Sequence, residues 1–100
     1  MNRRGAPRAE VRLPVTLERP RRHGKPVSAQ TIDLSTGGAR VKCDRPLRVD
    51  EVLRFELEGV CGQCLVLREH VGQIYAVRFE RFDEEGAPAK LERLATPALH

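Results

Sequence analysis

The stretch "TIDLSTGGARV", residues 31–41, decides the fold because it has the pattern of a strand, a tight turn and a second strand. Apolar residues alternate with polar ones on both sides of Gly37 and Gly38, and we expect these glycines to supply the positive φ values of the turn. Alternate residues of a strand face opposite sides, and the apolar ones face the core. We therefore expect Asp33 and Ser35 on the outer face, where the chain leaves the first strand.

The outer face of this hairpin combines several groups that bind polar ligands. The turn supplies a carboxylate, a hydroxyl and a glycine backbone, and the second strand adds the outward cations Arg40 and Lys42. An alternative interpretation is structural, because Asp and Ser beside Gly are ordinary turn residues that bond nearby backbone amides. The hairpin alone favours the structural interpretation, and a functional one needs support from the rest of the chain.

Alternation of apolar and polar residues predicts six short strands along the chain. They cover residues 11–18, 26–34, 38–43, 52–58, 64–71 and 74–81. Beyond them the period changes, because Leu91, Leu94 and Ala95 stand at i, i+3 and i+4, which predicts a short amphipathic helix. We expect Pro97 to end this helix. Short strands without helices between them are typical of an antiparallel barrel or a small sandwich, so the predicted fold class is all-β.

Length and charge divide the chain into an arm and a domain. One hundred residues form a single small domain with a modest core, which leaves little room for a large catalytic cleft. Residues 1–25 hold eight Lys or Arg against two Glu, whereas the other 75 residues hold ten against twelve Asp or Glu. Residues 1–10 lack any period, so we predict a flexible basic arm there and a folded domain at residues 11–97. Attraction of anions is therefore expected at the N-terminal end.

Apolar runs and cysteines indicate the compartment. No apolar run approaches the roughly 18 residues that span a bilayer, and the arginine-rich start lacks the apolar core of a signal peptide. Three cysteines, an odd number, without an export signal favour reduced thiols over a disulfide framework. We therefore expect a cytoplasmic protein with no membrane insertion.

The C-x-x-C pattern of Cys61 and Cys64 has the spacing of metal ligands. A zinc site needs four ligands, and no second C-x-x-C exists to supply the others. Cys43, which has the pattern of a small buried residue, or a histidine would have to complete the site. A glycine-containing hairpin turn is the preferred interpretation of residues 61–64. No Ser/His/Asp arrangement with an orienting context is present, so we predict no metal, no catalytic residue and no enzyme activity.

The arm carries arginines whose chemistry complements the hairpin. Arg4 and Arg8 form an R-x-x-x-R pair, and each guanidinium is a planar fork that bonds paired acceptors or stacks on an aromatic face. Guanine offers such an acceptor pair at O6 and N7, and Asp33 can accept the N–H donors of its other edge. Arginines with an outward carboxylate suit a guanine nucleotide better than phosphate alone, because the carboxylate repels a bare phosphate.

These residues, taken in their order along the chain, resemble a known family. The stretch "RRGAPR" with Arg4 and Arg8, followed by a strand and then by "DLSTGG" with Asp33, Ser35 and Gly38, is similar to the PilZ domain. That family is the bacterial receptor module for cyclic di-GMP, and the resemblance covers about residues 3–94. It implies a six-stranded antiparallel β-barrel with a C-terminal helix. Its ligand would lie between an R-x-x-x-R arm and a [D/N]-x-S-x-x-G turn.

The resemblance also implies which residues bind the ligand. Arg8 and Arg12 form a second R-x-x-x-R match, but Arg12 lies within the first predicted strand, whereas the family's motif precedes that strand. The family often has a second arginine after the first, and this chain has Gly5 there, with Arg3 on the other side. The resemblance allows either one ligand or a stacked pair of ligands, and it implies that the residue before the first arginine of the motif biases the choice. Arg3 stands there and can offset the charge of a second ligand, so we expect two ligands per chain. The predicted ligand-binding residues are Arg3, Arg4, Arg8, Asp33, Ser35, Gly37, Gly38 and Arg40.

The resemblance predicts a receptor for cyclic di-GMP that needs no cofactor. Ordering of the arm by the ligand is expected to change the surface that an unidentified protein partner meets. One alternative is a ligand-independent PilZ-like adaptor, and the presence of both motifs counts against it. A second is a basic barrel that binds nucleic acid. With no Trp, one Tyr and three Phe, the chain lacks the aromatic platform on which bases stack.

Overall fold

The computed structural model describes residues 9–20 and 24–95, and that part contains six strands and one helix. The strands are β1 (Pro14–Glu18), β2 (Val27–Leu34), β3 (Gly38–Cys43), β4 (Val52–Leu57), β5 (Val60–His70) and β6 (Ile74–Phe82), and the helix is α1 (Ala87–Ala95). Most of the predicted arm and Pro97, the predicted end of the helix, lie outside the described residues.

Neighbouring strands all run antiparallel and close into a barrel in the order β1-β2-β3-β6-β5-β4. The closure is made by β4, which returns to β1 and places Leu57 opposite Val15. Each strand therefore has two neighbours, which satisfies the backbone groups that an open sheet exposes at its edges. The predicted all-β fold with a C-terminal helix is confirmed, and the barrel rather than the sandwich is the correct architecture.

Alternate side chains of the strands fill the barrel. In β1, for example, Val15 and Leu17 are buried while the residues between and beside them are exposed. Helix α1 buries Ala87 and Leu91 and contacts β5. Full burial of a side chain such as Leu17 or Leu91 contributes about 1.5–3 kcal/mol, so the helix is part of the core. No helix in residues 9–20 and 24–95 is long and apolar enough to cross a membrane.

The N-terminal segment (residues 9–13) differs from the predicted first strand. Alternation from Val11 to Leu17 predicted one continuous strand, but the regular strand begins at Pro14. Val11 and Leu13 nevertheless pack against the core as partly buried side chains. The backbone of this segment follows β2 through separate hydrogen bonds, which lead the chain toward the β2–β3 turn.

The turn between β4 and β5 also differs from the prediction. Residues 61–64 belong to β5, so the predicted hairpin turn at the C-x-x-C is wrong. The turn lies instead at Glu58 and Gly59, whose φ values are 51° and 84°. Positive φ at both central residues is the geometry of the two-residue turns that match the twist of a hairpin.

Candidate ligand-binding site

The β2–β3 turn (residues 35–37) is held by its own serine. The Ser35 N–H donates to the Gly38 carbonyl oxygen at 2.9 Å, and the Ser35 hydroxyl donates to the same oxygen at 3.3 Å. The Gly37 N–H donates to Ser35 Oγ at 3.2 Å. Ser35 is only 6% exposed, so it has the structural role that is ordinary for a turn serine. A hydroxyl has two acceptor positions, and one remains after these bonds.

The two glycines of the turn differ from the prediction in their conformation. Neither Gly37 nor Gly38 has a positive φ value, so the expected reason for these glycines is wrong. Gly38 is required because β6 passes close to it, and a Cβ there would lie 2.3 Å from the Val77 carbonyl oxygen. Among residues 9–20 and 24–95, the nearest atom to such a Cβ at Gly37 is Ser35 Oγ, 4.0 Å away. Gly37 therefore leaves room for another group to approach the backbone.

A β-bulge in β2 sets the position of Asp33. Thr31 lies opposite Val41 and Asp33 lies opposite Arg40, so Ile32 is an extra residue in β2. Directly opposed residues share one face of a sheet, which puts Asp33 on the outer face with the exposed Arg40, as predicted. Although Asp33 lies on this face, its side chain is only 5% exposed.

Arg40 neutralises this buried carboxylate. The Arg40 backbone N–H donates to Asp33 Oδ1 at 3.2 Å, and the guanidinium atoms Nε and Nη2 each lie 2.7 Å from Asp33 Oδ2. A buried charge is tolerated when it is paired and hydrogen-bonded in this way. The Arg40 side chain itself is 44% exposed. The pair thus fixes the carboxylate while part of the cationic side chain stays exposed at the surface.

The N-terminal segment pairs with the end of β2 at Ala9, the residue that directly follows the arginine motif. The Ala9 N–H donates to the Leu34 carbonyl oxygen, and the Leu34 N–H donates to the Ala9 carbonyl oxygen, each at 2.9 Å. Leu34 stands between Asp33 and Ser35 in the sequence. The residue that follows the R-x-x-x-R motif is therefore paired with the strand end that carries both polar residues. The predicted ligand-binding residues of the arm lie outside the described residues: Arg3, Arg4 and Arg8.

The fold and this junction agree with a comparison against known protein families. One family model, that of the PilZ domain, matches residues 2–96. The chain belongs to the PilZ domain family. No curated protein matches the sequence. This match confirms the family that the two sequence motifs predicted, which is a family of binding modules for cyclic di-GMP.

The PilZ barrel carries one further basic side chain, Arg68, in the row that contains Asp33 and Arg40, and sequence analysis did not single it out. Arg40 lies opposite Ala76 of β6, and Ala76 lies opposite Arg68 of β5, so the three form one row across the sheet. Neighbouring strands are about 4.8 Å apart, which separates the backbones of the two arginines by about 10 Å with a small side chain between them. Local periodicity cannot reveal such a row, because it depends on the register of three strands.

The cysteines of the PilZ barrel lie within strands. Cys61 is half-buried and Cys64 is fully buried, on opposite faces of β5, so their side chains point apart. Burial raises the pKa of the Cys64 thiol to about 12 and that of the Cys43 thiol to about 11, so both stay protonated at neutral pH. Residues 9–20 and 24–95 contain no group of three His, Cys, Asp or Glu placed as metal ligands.

Proposed function

We propose that this PilZ domain binds cyclic di-GMP between its N-terminal arm and the β2–β3 turn. The observation that carries the proposal is the pairing of Ala9 with Leu34, next to Asp33 and Ser35. Consecutive Cα atoms are about 3.8 Å apart, so the Cα of Arg8 cannot be farther than that from Ala9. This covalent limit supports a site in which the motif and the turn meet on one ligand.

The proposed site recognises guanine with groups of opposite charge. The Asp33 carboxylate accepts the N1 and N2 hydrogens of the base, while Arg4 and Arg8 donate to O6 and N7 or to a phosphate. The remaining acceptor position of Ser35 and the room at Gly37 allow the base to lie close to the turn. Gly38 keeps the turn against β6, so it acts on the ligand through the shape of the turn.

The phosphates of the ligand meet a positive surface in this proposal. Residues 1–25 carry a net charge of +6, from eight cations and two anions, and the ligand has two phosphate charges. The exposed side of Arg40 and the neighbouring Arg68 extend this field across the barrel. Arg3 adds a cation beside the motif, and we propose that it supports a second ligand, giving two per chain.

The signal in this proposal is a shift in the population of arm conformations. A ligand that contacts both the arm and the turn stabilises only those conformations in which the two are close. The arm is the most basic part of the chain, so its position changes the charge that a protein partner meets. A ligand-independent adaptor would show no such coupling, and a folded protein without affinity for cyclic di-GMP would favour that alternative.

Replacement of Asp33 tests the guanine contact. Asp33→Asn is expected to weaken cyclic di-GMP binding about tenfold or more, because an amide NH2 then faces the N–H donors of guanine. Isothermal titration calorimetry measures the dissociation constant, and circular dichroism checks that the variant is folded. Equal affinity of Asp33→Asn and wild type would remove Asp33 from the site.

Asp44→Asn is the matched control for this experiment. Asp44 follows β3, and its Oδ1 accepts the Ser28 N–H at 3.1 Å at the other end of the same hairpin. The substitution changes the net charge by the same amount without touching the turn. Asp44→Asn should bind cyclic di-GMP as the wild type does, and a similar loss in both variants would indicate a general charge effect.

A further inference from the structure

One buried hydroxyl, that of Thr31, joins the N-terminal segment to β2. Thr31 Oγ1 accepts the Leu13 N–H at 2.8 Å and donates to the Val11 carbonyl oxygen. The Thr31 N–H donates to the Leu13 carbonyl oxygen at 2.9 Å. Thr31 is 0% exposed, so these bonds are shielded from water. A single residue of β2 thus holds three backbone groups of the segment that leads to the arginine motif.

These bonds lie where the pairing of the segment with β2 changes register. Pro14 lies opposite Gln30 in the regular β1–β2 ladder, and Ala9 lies opposite Leu34 beyond it. Five residues of the first chain segment therefore match four residues of β2. An extra residue interrupts the backbone ladder, and here the Thr31 hydroxyl provides the missing partners. The Leu13 N–H and the Val11 carbonyl oxygen bond to a side chain instead of to the backbone of β2.

The register decides which residue faces the end of β2. If the ladder of β1 continued without the extra residue, Glu10 rather than Ala9 would lie opposite Leu34. A slip of one residue also turns every side chain to the other face of the sheet. The carboxylate of Glu10 would then share the core-facing side of Leu34, which is fully buried, and the chain that precedes it would be displaced by one residue along β2. Burial of an unpaired carboxylate is unfavourable, and the displacement changes which residue of the N-terminal chain reaches the turn.

We propose that Thr31 is a positioning residue of the ligand site, whose hydroxyl holds the register that leads the arginine motif to the β2–β3 turn. Thr31 acts through Ala9 and Leu34 and need not touch the ligand. Its effect on ligand affinity rests on the proposed function, whereas its effect on the register does not. The role requires a group that both donates and accepts, so serine can replace threonine and valine, which has the same shape, cannot.

Hydrogen exchange of backbone amides tests the register without any ligand. The Ala9, Leu13 and Leu34 amides each donate a hydrogen bond and are expected to exchange slowly in the wild type. Thr31→Val is expected to raise the exchange rates of Ala9 and Leu13 about tenfold or more, and Thr31→Ser is expected to keep them slow. Thr16→Val, at an exposed position of β1, is the matched control and should leave all three amides protected.

Calorimetry with cyclic di-GMP tests the consequence for the site. Thr31→Val is expected to bind about tenfold more weakly than wild type, while Thr31→Ser and Thr16→Val stay within about threefold. A barrel that is only less stable in Thr31→Val, with Ala9 protected and affinity unchanged, overturns the proposal. That result would leave Thr31 with a purely structural role.

Two further outcomes also decide the proposal. If Thr31→Val does not fold, the amide exchange rates of the wild-type protein decide. Free exchange of the Leu13 amide overturns the proposal, and protection of Leu13 equal to that of Ala9 supports it. If the wild type does not bind cyclic di-GMP, the proposed function fails. The exchange rates of Ala9 and Leu13 in the Thr31 variants then support or overturn the positioning role by themselves.

Discussion

Arg8→Ala is expected to weaken the binding of cyclic di-GMP at least tenfold and to leave the barrel folded. Hydrogen bonds to charged groups contribute about 1.5–3 kcal/mol, which corresponds to roughly a tenfold to hundredfold change in the dissociation constant. Arg8 precedes Ala9, whose backbone is paired with Leu34 beside the turn. We expect a similar loss for Arg4→Ala. Calorimetry measures the affinity, and far-ultraviolet circular dichroism should be unchanged.

Arg12→Ala is the matched control for Arg8→Ala. Arg12 belongs to the second R-x-x-x-R match and is exposed on the N-terminal segment, past the pairing of Ala9 with Leu34. The Arg12→Ala substitution removes the same charge from the same region of the chain as Arg8→Ala does. We expect affinity within about threefold of wild type, since a distant exposed charge contributes little at physiological salt. An equal loss in both variants would contradict the assignment of the motif to Arg4 and Arg8.

Gly38→Ala is expected to lower the free energy of unfolding by about 3 kcal/mol, because the new side chain has no room and the backbones must separate. The added Cβ would lie 2.3 Å from the Val77 carbonyl oxygen, and Cβ contacts below 3.0 Å essentially never occur. Urea denaturation measures the loss. The melting temperature should fall by about 12 to 24 °C in a domain of this size.

Gly37→Ala is the comparison variant, because it should change the affinity for the ligand without changing the stability of the barrel. Within the described part of the chain, a Cβ at Gly37 meets only Ser35 Oγ, at 4.0 Å, so the stability should stay within about 0.5 kcal/mol of wild type. The same methyl group occupies the room that the proposal gives to the ligand, so the affinity for cyclic di-GMP should fall. A Gly38→Ala protein as stable as Gly37→Ala would contradict the close approach of β3 and β6.

The strands and the helix follow from periodicity because burial of one face imposes it. The inward residues Ala39, Val41 and Cys43 are buried as predicted, and Leu91 is a core residue of the helix. The β4–β5 turn was missed because Glu58 has a positive φ value, and a glutamate gives no sequence signal for that conformation. The C-x-x-C, with its central glycine, was the more conspicuous turn candidate.

The details of the site depend on register, which short-range patterns do not contain. The bulge at Ile32 adds one residue to β2 and leaves the apolar and polar pattern of the strand almost unchanged. The burial of Asp33 could not be predicted from its neighbours, since Arg40 pairs with it across the hairpin. Thr31 was missed for the same reason, because its hydroxyl partners are about 20 residues away in the chain.

Calorimetric titration of the wild-type protein with cyclic di-GMP, beside parallel titrations with GTP and single-stranded DNA, tests the central claim most directly. All three ligands are anions, so charge alone would attract each of them to the basic arm. We predict saturable binding of cyclic di-GMP at concentrations at which GTP and DNA give no saturable heat. No saturable binding of cyclic di-GMP by the folded protein, or equal binding of all three ligands, would contradict the account.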